Sequence, residues 1–351
     1  MSMYKGLFTP YDFNRSLTEQ EMAHQLHQWS PHPEFPLVND NNTVIKMNST
    51  YMEVVDRYYG PKGFPSLMMG IPAMVLIGGF ILICAIAFNR SILSDTYHWN
   101  FNDILWGGIF SAIFIFGIWF CLSITLKEWF RKTHYPIRFN RKTKMVHVYQ
   151  IDGTILSAPW SKIFFTCYDG VSKTSDMRGW GIDGHILAED NITVLKTFSL
   201  PYYSHWEDLS AYWEFVRCYM EEDVLDDLAK TIYMCPPVSN RKEGYIFGLQ
   251  YQFRYSSKIE YIRLLGLPFT LMENFSRYIS MLTSKIPQWP EEVENSCEIN
   301  PDDPIDVSYK TRNSNLWRYT FACMTEEDYK QKMEAVERIR KKLAIRYKEN
   351  Y

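Results

Sequence analysis

The sequence predicts an α+β membrane protein, with a two-helix transmembrane hairpin and a cytoplasmic antiparallel β-sheet domain packed with amphipathic helices. Three observations predict it. Residues 64–88, FPSLMMGIPAMVLIGGFILICAIAF, hold no charged side chain. Residues 104–126, ILWGGIFSAIFIFGIWFCLSITL, hold none either. Each run exceeds the roughly 20 apolar residues that a helix needs to cross a hydrocarbon core, and a helix is the form in which one segment satisfies its own backbone there. From Pro136 onward the pattern changes to short strands divided by turn residues, followed by long stretches of helical periodicity.

The spacing of lysine and arginine sets an orientation. Between the runs lies Arg90, against Asp95 and Asp103. Directly after the second run come Lys127, Arg131, Lys132, Arg138, Arg141, Lys142 and Lys144, and before the first run Arg57 and Lys62. Positive charge stays on the cytoplasmic side, so both termini are expected in the cytoplasm with a short hairpin outside. The seven bases form a membrane-proximal basic segment and are the candidate site residues of this sequence. Near an anionic leaflet each contributes about 1 kcal/mol, although topology determination explains the same residues. Tyr97, Trp99, Trp106 and Trp129 cluster near the run ends and read as interfacial anchors.

Four segments follow. Residues 1–63 are a polar N-terminal segment without the apolar stretch of a cleaved signal, so the first run is expected to serve as the insertion signal. In it, Thr18 and Glu21 form a capping box for a short helix through Trp29, and residues 43–55 suit a strand or hairpin. Residues 64–126 are the hairpin, with Gly70, Gly78 and Gly79 on one helix and Gly107, Gly108, Ser111 and Ala112 on the other allowing close packing. Pro72 is expected to kink the first helix.

Residues 127–234 read as a β-meander plus a long helix. PIRFN, MVHVYQ and TILSAPW are successive strands, with Asp152-Gly153 and Asp169-Gly170 as turns of one antiparallel sheet. Residues 180–187 and 193–200 supply further strands. Ser204 and Glu207 cap an amphipathic helix running to Lys230, with Trp206, Leu209, Trp213, Val216, Tyr219 and Met220 on its apolar side. Residues 235–351 are mainly helical. The stretch 259–286 reads as a core helix pair broken at Pro268, or alternatively as a segment lying on the bilayer. Residues 287–306 form an acidic, proline-rich linker, and Thr325 starts a last helix with acids early and bases late, in accord with the helix dipole.

Composition excludes several classes. Net charge is −3 and the isoelectric point about 6.3, so no broad basic field invites nucleic acid. The seven cysteines stand singly with no C-x-x-C, which argues against a disulfide framework or a zinc knuckle and suits a reducing compartment. Neither run carries an ionisable group that would mark an ion path. GWGIDG at 179–184 mimics a dinucleotide fingerprint, but strand-like residues follow it, so it reads as a glycine-rich β-turn. Glu21, His24, His27 and His32 are a conceivable but loosely spaced metal set, better read as a solvated face. His134, His147, His185 and His205 are isolated. The acids at 221–223 and 226–227 read as a solvated helix face. No catalytic residue, metal site or cofactor is nominated.

The segment YPIRFNRKTKMVHVYQIDGTILSAPWSKI (135–163) carries R-F-N-R-x-x-x-x-V, a D-G turn and P-W. With the hairpin before it and R-G-W-G-I-D-G after it, it resembles uncharacterised two-span bacterial inner-membrane proteins, some encoded near type VI secretion or polymorphic toxin loci. A meander closed by one long helix is also similar to membrane-anchored pleckstrin-homology-like domains. The resemblance spans about residues 60–230. It implies a bacterial inner-membrane location and a binding role, with immunity to a secreted toxin or service to the secretion system as the leading case. The partners expected are the lipid bilayer and a protein. The alternative is a membrane-anchored enzyme acting on lipid or envelope precursors.

Overall fold

A computed structural model describes residues 3–4, 7, 11–31, 38–93, 100–169, 180–201, 206–253, 260–312 and 325–347. His32, Asp95, Tyr97, Trp99, Gly170, Gly179, Ser204 and His205, used above, lie outside the described residues. The chain divides into two compact units. One comprises Met1–Gly60, Lys132–Arg254 and Ile286–Tyr351, the other Pro61–Arg131 and Tyr255–Lys285.

The first unit opens with β1 (Met3–Tyr4) paired to β2 (Tyr11–Asp12), then β3 (Arg15–Ser16), α1 (Glu19–Ala23) and β4 (Gln25–Leu26). The capping box is present: Thr18 Oγ1 accepts from the Glu21 amide and Glu21 Oε2 from the Thr18 amide, at 3.2 and 2.8 Å. The helix ends well short of Trp29 because residues 25 and 26 pair with Thr166 and Phe165 instead. β5 (Val44–Met47) and β6 (Tyr51–Val54) form the expected hairpin.

The chain then runs through α2 (Phe64–Leu93) and α3 (Phe101–Glu128) of the second unit. It returns as β7 (Ile137–Asn140), β8 (Met145–Tyr149) and β9 (Ile155–Pro159), each antiparallel to the last, with β7 paired to β6. A single helical turn at Trp160–Lys162 redirects it into β10 (Ile163–Asp169), β11 (Trp180–Leu187) and β12 (Thr193–Ser199).

These strands form two sheets, not the one expected. Asp152-Gly153 turns in the first, and Asp169 ends a strand of the second. The reason is Trp160: its ring is fully buried, 6.0 Å from Phe139 and 5.0 Å from Phe165, and the chain bends around it. Gly181 and Gly184 sit inside β11 and not in a turn. A Cβ at either would collide with the ring of Tyr168 or Phe198 on the neighbouring strand.

α4 (Trp206–Glu221) and α5 (Leu225–Thr231) replace the single long helix expected to Lys230. From Leu209 to Met220 every residue of α4 is buried, Glu214 and Arg217 included, so it is a core helix rather than an amphipathic one. Next come α6 (Tyr245–Phe253) of this unit and α7 (Glu260–Thr283) of the other. α8 (Glu291–Ser296), within the expected linker, then precedes β13 (Val307–Ser308) and α9 (Glu326–Tyr347). Strand order is β13-β5-β6-β7-β8-β9 in one sheet and β3-β12-β11-β10-β4 in the other. One hydrophobic core joins both sheets with α4, α5 and α9.

In that core α4 makes the charged pair that its buried position demands. Arg217 Nε donates to Glu214 Oε2 at 2.9 Å and Nη1 to Glu222 Oε1 at 2.6 Å. Arg346 of α9 binds the other Glu222 oxygen at 2.7 Å, and Arg338 and Lys342 bind Asp227 at 2.8 and 3.0 Å. Glu222 and Asp227 are therefore buried by α9 instead of solvated, and the late bases of α9 serve those acids besides its own dipole. Breaking such a buried pair from one side typically costs about 3–5 kcal/mol.

In the second unit α2 and α3 lie side by side. The Phe80 and Phe114 rings are 6.2 Å apart, and the Leu76 side chain meets Gly117. Both helices are long and apolar enough to cross a membrane. α7 is one continuous helix with Pro268 inside it, not a pair broken there.

Trp213 of α4 stacks on Trp160 at 5.8 Å and lies 4.9 Å from Phe165. Trp213→Ala should therefore lower the unfolding free energy by about 3–5 kcal/mol. Chemical denaturation of the full chain in detergent measures this, and an unchanged midpoint would contradict the burial.

Candidate functional site

The seven bases differ in exposure. Lys127, Arg131, Lys142 and Lys144 are exposed, Lys132 and Arg141 are partly covered, and Arg138 is buried. Arg138 donates from Nε to Glu53 Oε2 at 2.9 Å and from Nη2 to Glu294 at 3.2 Å. Its guanidinium lies 4.4 Å from the Tyr51 ring centroid and 4.7 Å from that of Trp289, whose indole N–H also binds Glu53. Burial opposes this charge, but Glu53 and Glu294 more than offset it and hold Arg138 above the usual guanidinium value.

The β7–β8 turn has a different task. Arg141 donates to the carbonyls of Tyr219 and Glu222, and Lys144 to the Met220 carbonyl. These are the orphan acceptors at the end of α4, and two cations there satisfy them and oppose the negative end of its dipole. Lys132 lies over the Tyr149 ring at 5.5 Å. Arg138, Arg141 and Lys144 thus hold the fold. Lys127, Arg131 and Lys142 keep exposed charges.

The residues of R-F-N-R and P-W are structural in the same way. Phe139 and Trp160 fill the core, and the Asn140 amide donates to the Ser296 carbonyl at 2.7 Å while its oxygen accepts from the Thr143 amide at 2.9 Å.

A polar constellation that the sequence reading missed lies on the five-stranded sheet. The core takes Phe165, Cys167, Ile182 and Phe198, so alternation puts Thr166, Asp183, His185, Thr197 and Ser199 on the opposite face. The N-terminal segment lies over that face. Tyr11 Oη and Ser199 Oγ are 2.8 Å apart, and Thr166 Oγ1 donates to the Glu21 carbonyl at 2.9 Å. Ser199 Oγ also hydrogen-bonds Asp183, and Arg57 Nη1 donates to Ser199 Oγ at 3.2 Å.

A small cleft of about 40 Å³ opens here, lined among others by Tyr11, Arg57, Tyr58, Tyr149, Thr197 and Ser199. Burial pushes the Asp183 carboxyl up, and His185, Arg57 and Ser199 only partly reverse this. Burial also works against Arg57, yet Tyr168, Tyr11, Tyr58 and Asp183 keep it firmly charged. A guanidinium beside several hydroxyls suits an anionic or hydrogen-bond-accepting group. The signal in sequence was the pairing of D-x-H at 183–185 with T-x-S at 197–199, two polar alternations on neighbouring strands.

His24, His134 and His185 are engaged by neighbouring groups of the fold. His185 Nδ1 is 2.9 Å from Thr197 Oγ1, and its Nε2 stands 3.3 Å from Glu21 Oε1, in ion-pair range without hydrogen-bond alignment. Carboxylate, imidazole and hydroxyl thus stand in the order of a hydrolytic relay, but the imidazole is only 1% exposed and offers a substrate no access. Burial tends to raise Glu21, and His185, Arg15 and the Thr18 amide outweigh it and hold the carboxyl well below the ordinary range. That engagement removes Glu21 from the conceivable metal set. His24 Nδ1 meets the Gln20 carbonyl at 2.9 Å, and His134 Nδ1 meets Thr133 Oγ1 at 2.9 Å. Among the described residues no three of His, Cys, Asp and Glu are grouped to hold a metal ion.

A family model matches residues 114–301, more than half of the chain, from the middle of α3 through the meanders and α4 to the residues after α8. The chain belongs to DUF6708. DUF6708 is a family of unknown function, so it assigns no chemistry to the cleft or to the basic segment. No curated protein matches the chain, and no solved structure does. The DUF6708 match includes Arg138, Arg141 and Trp160 and most of the cleft lining, but Tyr11, Asp56, Arg57 and Tyr58 of the cleft lie outside it.

His147 supplies a pH test of this packing. Its Nδ1 is 2.8 Å from Ser157 Oγ, and burial, then Arg138, holds the imidazole below its ordinary value of 6.5. As pH falls through that value the unfolded chain takes up a proton that the folded chain refuses, so acidification favours unfolding. The denaturation midpoint should fall between pH 7 and about 5.5, and His147→Gln should reduce the slope. An unaltered slope in that variant would remove His147 as a cause.

Proposed function

We propose that this DUF6708 chain is a membrane-anchored binding protein of the bacterial inner membrane, with both termini in the cytoplasm. Its partner is a protein, in the leading case a toxin delivered by a type VI-like secretion system, against which it confers immunity. One observation carries the anchoring. The most apolar windows of α2 and α3 have mean hydropathies of 2.6 and 2.3 and are only 6% and 11% buried. A core helix of such composition would be covered by protein, and an exposed one needs lipid.

The binding role rests on the resemblance and on two supporting features. Within the segment 135–163, Arg138, Phe139, Asn140, Arg141, Lys144 and Trp160 are occupied in holding the fold, and His185, placed like a relay base, is sealed from solvent. Two consecutive meanders followed by α4 also suit the pleckstrin-homology-like reading, a scaffold that works by presenting a surface.

The test is protection in vivo. Deleting the gene should sensitise the cell to the toxin encoded beside it. Arg57→Gln and His185→Gln, each expressed at the normal level, should leave protection intact, because an interface depends on a few anchors and tolerates single polar changes elsewhere. No sensitisation on deletion would contradict immunity to that toxin. Loss of protection from either normally expressed variant would shift the role to a ligand or substrate in the cleft.

A further inference from the structure

α7 is folded with its polar side inward. Asn274, Arg277 and Ser280 are fully buried. Ser276 Oγ donates to the Gly63 carbonyl at 2.8 Å and Arg277 Nη1 to the Lys62 carbonyl at 3.3 Å. The Phe269 ring stands 6.4 Å from Phe64. Past the helix end, Ser284 Oγ donates to the Glu128 carbonyl at 3.3 Å and the Lys285 amide to the Arg131 carbonyl at 2.8 Å. Every one of these partners lies where α2 begins or α3 ends. Gly63 marks the closest approach: its φ is +96°, and a Cβ there would stand 2.5 Å from the Arg277 backbone. Glu128 seals the same junction by accepting from the amides of Gly63 and Ser66 at 3.2 and 3.0 Å.

The opposite side of α7 is apolar and open. Leu265, Phe269, Met272 and Phe275 recur at three- and four-residue spacing, and Leu264 and Leu282 extend the same stripe along the helix. Leu265 is 84% exposed, Phe275 60% and Leu264 55%. The stripe holds no charged residue: Arg277 is buried, and Glu273 is partly covered with its carboxyl raised by burial, despite Arg277 nearby. A helix in water does the reverse, with polar residues outward. The burial of an arginine and two serines against helix-end carbonyls shows that the inversion is built into the unit.

We propose that α7 is an interfacial helix. It lies along the leaflet at which α2 and α3 begin and end, with its stripe among the acyl chains. This rests on the reading of α2 and α3 as membrane spans. Lipid is the occupant because the stripe sits at the ends of two helices whose own exposed sides need lipid, and Phe269 against Phe64 makes the two apolar surfaces continuous. A bilayer that covers α2 has to reach α7 as well. The basic residues Lys127 and Arg131, exposed at the end of α3, stand at the level where anionic headgroups would meet them.

The experiment places the photoreactive residue benzoyl-phenylalanine at Leu265, at Phe275 and at Phe116 of α3, one at a time. The full chain is reconstituted in nanodiscs of radiolabelled phosphatidylethanolamine and phosphatidylglycerol. Leu265 and Phe275 are exposed, so the fold should accept the change. On irradiation both should transfer lipid label as strongly as Phe116. Cross-links at 265 and 275 to a second copy of the chain, in place of lipid, would overturn the proposal in favour of self-association. Labelling at Phe116 alone would overturn it and leave the spans standing. Absence of labelling at Phe116 too would overturn the membrane reading and this proposal with it.

Discussion

The pairing of β6 with β7 is the constraint on which the rest of the chain depends. Tyr51 pairs with Asn140 and Val54 with Ile137, so two strands that adjoin in the sheet are separated in sequence by both apolar helices. Asp56 reinforces the junction by accepting from the Tyr58 amide on the outgoing chain and the Tyr135 amide on the returning chain, both at 2.9 Å. An excursion that must return to the point it left crosses a bilayer an even number of times. On the proposed reading of α2 and α3 as membrane spans, this register requires an equal number of outward and inward passages, the arrangement that the lysine and arginine counts also suggest.

The same register distributes charge inside the first unit. β7 carries Arg138 to Glu53 on β6, and the turn after β7 brings Arg141 and Lys144 to the last carbonyls of α4. α4 in turn is buried on all sides, which forces Arg217, Glu214 and Glu222 into one network completed by Arg346 of α9. Such networks stabilise little relative to a well-packed apolar alternative, but once built they punish any arrangement that leaves one charge alone. They favour one packing of the helices over its competitors.

What was legible in the sequence was local. Two uncharged runs, the Thr18–Glu21 capping box, the D-G turn at 152–153 and the strand alternation each depend on neighbours a few residues apart. What was not legible depends on distant partners. The bend at Trp160 that splits the strands into two sheets is caused by rings from Phe139 and Phe165. Asp227 and Glu222 looked solvated because α9, more than a hundred residues later, is what covers them. Arg138 and Arg141 looked like topology signals because nothing nearby reveals Glu53, Glu294 or the end of α4. The cleft draws Tyr11, Arg57 and Ser199 from three distant segments, and only the alternation of the strand residues hinted at it.

On the proposed reading the chain crosses a membrane twice and returns to the side it left. Dual phosphatase and fluorescent-protein fusions after Gly63, after Asp95 and after Lys144, expressed in a bacterial host, test it directly. Fluorescence after Gly63 and Lys144 with phosphatase activity after Asp95 is the predicted pattern. Phosphatase activity after Lys144 would mean that the chain ends its excursion on the far side, which neither the charge distribution nor the pairing of Val54 with Ile137 could accommodate.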